Sequence, residues 1–152
     1  MLPFKNILSP TDFSEHSYKA IKVAGELALH FSARLVVLHV VSLTPLITGS
    51  VDTPGFDVAY YQQELEKDAR EQLQDVIKKL VSKDVKNFAS MIASGSYPDE
   101  ILRIAREEKS DLIVIGTRGR TGVAHLVLGS VAERVVQLAP CPVLTIGPTV
   151  TV

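Results

Sequence analysis

The segment from Arg34 to Val41 constrains the fold most, because it is apolar at almost every position. It reads RLVVLHVV, and only Arg34 and His39 interrupt the apolar run. A strand with one face in water alternates apolar and polar residues, whereas a continuous apolar run is typical of a strand covered on both faces. This segment therefore predicts a central strand of a parallel sheet.

Further strand-like and helical segments alternate along the chain. Strands are predicted at Phe4–Ser9, Val85–Ala93, Leu112–Ile115 and Val143–Ile146. Helical periodicity follows Ser14, covers Leu65–Leu80, resumes at Pro98 and resumes again at Ser130. The order βαβαβαβαβ predicts an α/β fold with a five-stranded parallel sheet, strand order 3-2-1-4-5 and helices on both faces. The weaker third strand suits an edge.

The size and charge of the chain restrict its class. Its 152 residues fit one domain spanning 1–152, and the net charge is -1 without a basic run, which argues against nucleic acid as a partner. No run approaches the roughly 20 apolar residues of a membrane span. Cys141 is the only cysteine, so no intrachain disulfide can form, and we expect a cytoplasmic protein.

A glycine stretch follows the fourth strand. Gly116, Gly119 and Gly129-Ser130 have the spacing Gly-x2-Gly-x9-Gly-Ser, and Ser130-Val-Ala-Glu133 has the capping-box pattern of a helix start. The predicted inner face of this helix is Val131, Val135 and Leu138. A strand leading through a turn into a helix N-terminus brings backbone amides together, which favours an anion such as phosphate. The alternative is that the glycines shape an ordinary loop and Ser130 merely caps the helix.

This stretch matches neither common nucleotide motif. A P-loop needs Gly-Lys-Ser/Thr after its first glycine, and a dinucleotide fingerprint needs Gly-x-Gly-x-x-Gly after the first strand. Here no lysine follows Gly119 or Gly122, and the first strand leads into Pro10, Thr11 and Asp12.

Two segments are expected to meet at the carboxyl ends of strands one and four, where such sheets bind ligands. One is Pro10-Thr11-Asp12, and the other is Gly116–Arg120. The Asp12 carboxylate could accept hydrogen bonds from a ribose hydroxyl or an adenine-side donor, or it could be a plain helix N-cap. The backbone of Val40 could pair with an adenine edge. Arg118 and Arg120 are candidate phosphate partners, although exposed loop arginines are often simply solvated.

Nearly the whole chain resembles the universal stress protein family. The resemblance lies in KNILSPTDFSE, VVLHVV, IGTRGRTGVAHLVLGSVAERVV and CPVLTI. Gly116, Gly119, Gly129 and Ser130 match the pattern of its ATP-binding branch, which has a Rossmann-like, adenine nucleotide alpha hydrolase-like fold. The resemblance implies that Asp12 and the Val40 backbone hold the nucleoside. It also implies that ribose and phosphates, with Mg²⁺ carried by the phosphates, are held by Gly116, Gly119, Gly129, Ser130 and the Val131 amide.

We therefore expect an ATP-binding stress-response protein that holds the nucleotide as a switch or ligand. No catalytic residue is evident, and the His-x-Gly-His and Ser-Gly-Gly signatures of enzymes with this architecture are absent. Two alternatives stay open, a slow ATPase or nucleotidyl-transferring enzyme using Asp12 and an arginine, and a nucleotide-independent interaction module.

The remaining expectations concern side chains and partners. We expect no dedicated metal site, a core role for His39 and no nucleophilic role for Cys141. The loop Leu43–Phe56 is long enough to be a lid. A homodimer is expected through the open edge of the last strand, and the sequence does not name any further protein partner.

Overall fold

The fold of this chain is a five-stranded parallel sheet with helices on both faces. The computed structural model describes residues 2–42, 57–118 and 128–152. In chain order the elements are β1 (Asn6–Thr11), α1 (Glu15–Phe31), β2 (Arg34–Val41), α2 (Val58–Leu80), β3 (Phe88–Ser94), α3 (Tyr97–Glu107), β4 (Leu112–Gly116), α4 (Ser130–Leu138) and β5 (Val143–Ile146). The strand order is β3-β2-β1-β4-β5, which confirms the predicted order and the edge position of β3.

Successive strand residues alternate between two cores, one on each side of the sheet. On one side, Ile7, Val37 and Val114 pack against α1 and α2. On the other, Leu8, Leu38 and Ile113 pack against α3 and α4. The almost continuous apolar sequence of β2 follows from this burial on both faces.

The first strand differs from its predicted bounds. It begins at Asn6 and continues through Thr11, whereas the proline was expected to end it. It continues because Pro10 pairs with Leu38 and Thr11 with His39 in the β2 ladder. The second helix also differs from its prediction. It begins at Val58 rather than near Leu65, and the Asp57 side chain caps it.

Pro10 ends the pairing between β1 and β4. The register of these strands includes Ile7 with Leu112 and Leu8 with Ile113, and goes no further. The Asp111 amide donates to the Asn6 carbonyl, so alternate residues from Asn6 through Leu8 to Pro10 face β4. Proline has no N–H to continue this ladder. The next inward β4 carbonyl, that of Val114, instead accepts a 3.2 Å hydrogen bond from the Ser9 hydroxyl.

The start of α4 corrects the predicted capping box. Gly129 is the N-cap, in extended conformation, and Ser130 is already the first helical residue, so Ser130 is not the residue that caps this helix. The predicted inner face is right for Val131 and Val135, which pack into the core shared with α3 together with Ala132. It is wrong for Leu138, which is 48% exposed. None of the helices in the described part of the chain is long and apolar enough to cross a membrane.

Candidate functional site

A cleft of about 380 Å³ lies at the carboxyl ends of the central strands, within the size range of small-molecule sites. The structure brings these predicted site residues together around it: Pro10, Thr11, Asp12, Val40, Gly116, Arg118, Gly129, Ser130 and Val131. Gly119, Arg120 and the predicted lid Leu43–Phe56 lie outside the described residues. The cleft lies where β1 and β4 part after Leu8 and Ile113.

Asp12 lies in the turn between β1 and α1. Its Oδ1 accepts a 3.0 Å hydrogen bond from the Ser14 amide. The N-cap of α1 is Ser14, whose Oγ accepts from the Ser17 amide at 3.2 Å. The interpretation of Asp12 as a plain N-cap is therefore wrong. A carboxylate accepts several hydrogen bonds, so a half-buried Asp12 at the rim of the cleft suits a ligand with hydroxyl or amino donors.

The Val40 backbone points toward the cleft. Arg34 donates its N–H to Lys5 beside β1, whereas Leu35 donates to Asn87 beside β3. Because this direction alternates along a strand, the N–H and C=O of Val40 face the β1 side. In this register the Val40 N–H meets the carbonyl of Thr11, the last β1 partner on that side, and the Val40 carbonyl lies beyond the last pairing. The chain then turns away, and the Phe13 amide donates to the Thr11 hydroxyl instead.

The two halves of the glycine stretch meet at the end of β4. The Gly129 amide donates to the Thr117 carbonyl at 2.6 Å, which holds the start of α4 beside Gly116–Arg118. The next amides, those of Ser130 and Val131, belong to the first helical turn and have no intrahelical acceptor. They and the positive end of the helix dipole favour an anion in this part of the cleft.

Gly116 has a packing role in addition to the ligand role predicted for it. A Cβ at this position would lie 3.0 Å from the His16 carbonyl oxygen and 3.2 Å from its carbon. The missing side chain therefore allows β4 to approach the first turn of α1. This close approach requires glycine whether or not a ligand is bound.

Several residues of the cleft were not predicted from the sequence. They are Ser17, Leu38, His39, Tyr97, Ile101, Ile115 and Ala132. Tyr97 begins α3 just beyond the end of β3, so the rule that ligands lie at strand carboxyl ends could have included it. The others are buried residues of strands and helices. Whether such a residue faces the cleft depends on how elements far apart in sequence pack together.

His39 is a satisfied core histidine, as expected from its sequence context. It is 8% exposed, and its Nδ1 lies 2.8 Å from the Thr11 carbonyl oxygen. Its ring stacks on that of Phe13 with centroids 4.1 Å apart. The histidine therefore forms part of the floor under the Asp12 turn.

The side chains with catalytic or metal-binding chemistry are dispersed. Burial, and after it the negative charge of Asp111, raises the pKa of the Cys141 thiol, so this half-buried cysteine stays protonated and poorly nucleophilic. In residues 2–42, 57–118 and 128–152, no three His, Cys, Asp or Glu side chains cluster closely enough to hold a metal ion.

Comparison with known proteins gives consistent relatives. The sequence model of the Universal stress protein family matches residues 3–147. Universal stress protein MJ0531 of Methanocaldococcus jannaschii is 36% identical, over 94% of this chain and 82% of its own. Universal stress protein YxiE of Bacillus subtilis is 35% identical, over 94% of this chain and 99% of its own.

Solved structures share the fold. The structure of hypothetical protein MJ0577, also from Methanocaldococcus jannaschii, has a TM-score of 0.82 and 28% identity, over 97% of this chain and 99% of its own. A universal stress protein in complex with cAMP has a TM-score of 0.63, and at 24% identity over 94% of this chain and 96% of its own it shows likeness of fold alone.

Proposed function

The chain belongs to the universal stress protein family, and from this we propose that its cleft binds ATP, held as a switch or ligand in a stress response. The observation that carries the proposal is the meeting of Asp12 with Gly116–Arg118 and Gly129–Val131 around one cleft. A carboxylate at one end and helix amides at the other are chemically matched to a nucleoside and its phosphates.

In this proposal the two ends of ATP have different partners. Asp12 and the backbone carbonyl of Val40 hold the ribose and adenine. The amides of Ser130 and Val131, with the Arg118 guanidinium, hold the phosphates. Gly119 and Arg120 join this group through the sequence pattern, and Mg²⁺ accompanies the phosphates as their counterion. The proposal places the protein in the cytoplasm, where ATP is abundant.

We propose binding rather than turnover, because the Asp12 carboxylate already accepts the Ser14 amide and is thereby held at the nucleoside end. The alternative is a slow ATPase or nucleotidyl-transferring enzyme. An enzyme would release phosphate over many turnovers. If phosphate release stays at the background rate, and Asp12→Ala changes only the affinity for ATP, the enzyme hypothesis is excluded.

Calorimetric titration of the purified protein with ATP and Mg²⁺ tests the proposal. Asp12→Ala should weaken ATP binding by about 10-fold to 100-fold, the usual cost of losing a hydrogen bond to a charged group. Asp75→Ala is the matched control, because Asp75 is exposed on α2 and pairs only loosely with Lys78 at 3.9 Å. Titrations with GTP and cAMP test the choice of base and phosphate. Absence of heat at millimolar ATP, with folded protein, would contradict the proposal and favour a nucleotide-independent interaction module.

We also propose a homodimer through β5. This strand lies at an edge of the sheet, and the exposed apolar side chains near it include Val136, Leu138 and Leu144. Edge strands with open backbone groups and apolar neighbours favour pairing with a second copy.

A further inference from the structure

We propose that His39 is a positioning residue of this site, which fixes the turn that presents Asp12. The link to nucleotide affinity rests on the proposed function, whereas the effect of His39 on the turn belongs to the protein without ligand. His39 and Asp12 both line the cleft. Asp12 is proposed to contact the ligand, whereas His39 contacts the residues on either side of Asp12.

The turn contains a conformation that needs support. Phe13, the residue after Asp12, has a φ of 63°. This left-handed region is favourable for glycine and disfavoured for residues with a bulky side chain, such as phenylalanine. Neighbouring contacts must therefore hold Phe13 in place, and the direction of the Asp12 carboxylate depends on them because the two residues share a peptide bond.

A buried chain of hydrogen bonds provides part of this support. The Phe13 amide donates to Thr11 Oγ1 at 3.0 Å, and the hydroxyls of Thr11 and Ser17 lie 2.8 Å apart. Ser17 Oγ donates to the Ser14 carbonyl at 2.8 Å. Since Ser17 uses its hydroxyl hydrogen there, Thr11 donates to Ser17 and accepts from Phe13. Every member of the chain is satisfied, which rigidifies a buried network.

His39 completes the support from the neighbouring strand. Its Nδ1 lies 2.8 Å from the Thr11 carbonyl oxygen, and because a carbonyl can only accept, Nδ1 carries the hydrogen. The same ring stacks on Phe13, with centroids 4.1 Å apart and planes 25° from parallel. One buried imidazole thus contacts the residue before Asp12 and the residue after it.

Two contacts of one side chain can be separated by substitution. His39→Phe keeps a ring to stack on Phe13 and removes the donor to Thr11. His39→Asn keeps an amide donor near the position of Nδ1 and removes the ring. His39→Ala removes both. Val36→Ala is the matched control, because Val36 is a buried residue of the same strand that packs in the core on the opposite face of the sheet.

Amide hydrogen exchange without nucleotide tests the turn itself. The amides of Phe13 and Ser14 report on it, since they donate to Thr11 Oγ1 and Asp12 Oδ1. We expect both to exchange at least about tenfold faster in His39→Ala, relative to the core amides of β1, with smaller effects in His39→Phe and His39→Asn. Val36→Ala should leave this ratio unchanged. An unchanged ratio in all three His39 variants would overturn the proposal, and the two milder variants suffice if His39→Ala does not fold.

A double-mutant cycle tests the link to Asp12. If His39 acts through Asp12, His39→Ala weakens ATP binding about tenfold in the wild-type background and has little further effect beside Asp12→Ala. Inorganic triphosphate, which lacks the nucleoside, should bind His39→Ala and wild type equally. Additive losses in the cycle, or equal losses for ATP and triphosphate, would overturn the link. If wild type itself fails to bind ATP, the proposed function fails, and the exchange ratio still decides whether His39 fixes the turn.

Discussion

At the scale of single residues, Gly116 sets the distance between β4 and α1. A methyl group there would lie 3.0 Å from the His16 carbonyl oxygen, and a backbone atom cannot rotate away as a side chain can. We expect Gly116→Ala to lower the free energy of unfolding by about 1 to 3 kcal/mol, the usual cost of overpacking. Urea denaturation measures the change.

Gly147→Ala is the control for this prediction. A Cβ at Gly147 meets nothing within 4 Å, so the expected change is within about 0.5 kcal/mol. Equal losses in both variants would show that the close approach of β4 to His16 does not matter for stability.

Residue patterns predicted the members of the cleft better than their individual roles. Asp12 and Val40 were placed correctly at the rim because the ends of parallel strands share one edge of the sheet. What a Cβ at Gly116 would touch depends on distances between segments far apart in sequence. Those distances are set by tertiary packing, so periodicity and spacing do not contain them.

At the scale of elements, α1 contains a glycine that packing does not require. Gly25 is buried within this helix, and a Cβ there would meet its nearest neighbour, the Val81 side chain, at an ordinary 4.0 Å. Gly25→Ala should therefore stabilise the protein by about 0.5 to 1 kcal/mol, because alanine loses less conformational entropy in a helix. The midpoint of urea unfolding should rise, and a fall would show that the core between α1 and Val81 has no room for a methyl group.

The contact between α2 and β3 should depend on pH. Hydrogen bonds from Gln62 and then Ser94 lower the pKa of Glu66 from its ordinary 4.5, and the Ser94 hydroxyl lies 2.7 Å from the carboxylate. A group whose pKa is lowered by folding stabilises the protein above its unfolded pKa, and this contribution is lost as the pH falls through its folded pKa.

We therefore expect Ser94→Ala to cost up to about 1 kcal/mol near neutral pH, a value kept small by solvent exposure. The loss should shrink toward zero in acid, below the lowered folded pKa of Glu66, where the carboxylate is protonated. Urea unfolding at both pH values measures it, with Ser90→Ala, an exposed serine of the same strand, as the control. A loss of the same size at both pH values would contradict the role of Glu66.

Element boundaries show where local sequence stops being sufficient. The bounds of β2 and β5 match those predicted from the sequence, and in β2 the apolar run and the burial end together at Val41. The bounds of β1 do not, because pairing with β2 continues past a proline that local rules treat as a break. Ser130 resembles a cap in sequence, but the hydrogen bond between Gly129 and Thr117 accompanies a helix start one residue earlier.

At the scale of the whole molecule, the two edges of the sheet differ, and this difference makes the proposed dimer testable. Leu144 on β5 and Phe88 on β3 are both exposed apolar side chains, at 38% and 50%. Light scattering of wild type should give the mass of a dimer, and Leu144→Lys should give that of a monomer because a buried unpaired charge is costly in an interface. Phe88→Lys, the matched change at the other edge, should remain dimeric. A monomeric wild type at tens of micromolar would contradict the proposal.

The strand order of the whole sheet was predictable because alternating strands and helices, joined by right-handed crossovers, leave few arrangements. The extent of each strand pairing was not, since it depends on where single residues interrupt a ladder. The assignment of residues 1–152 to one domain stays a prediction, and a single cooperative transition in the urea experiments above would support it.

The interruption at Pro10 has a mechanical consequence. The sheet has two halves, β3-β2-β1 and β4-β5. Beyond Leu8 and Ile113 no strand pairing joins them, and the cleft is the opening between them. Any molecule that fills it must touch both halves, so it restores by its own contacts the attachment that the proline removed. A bound ligand therefore also opposes the separation of the two halves. The more fully the cleft is occupied, the more strongly the two halves of the sheet are held together.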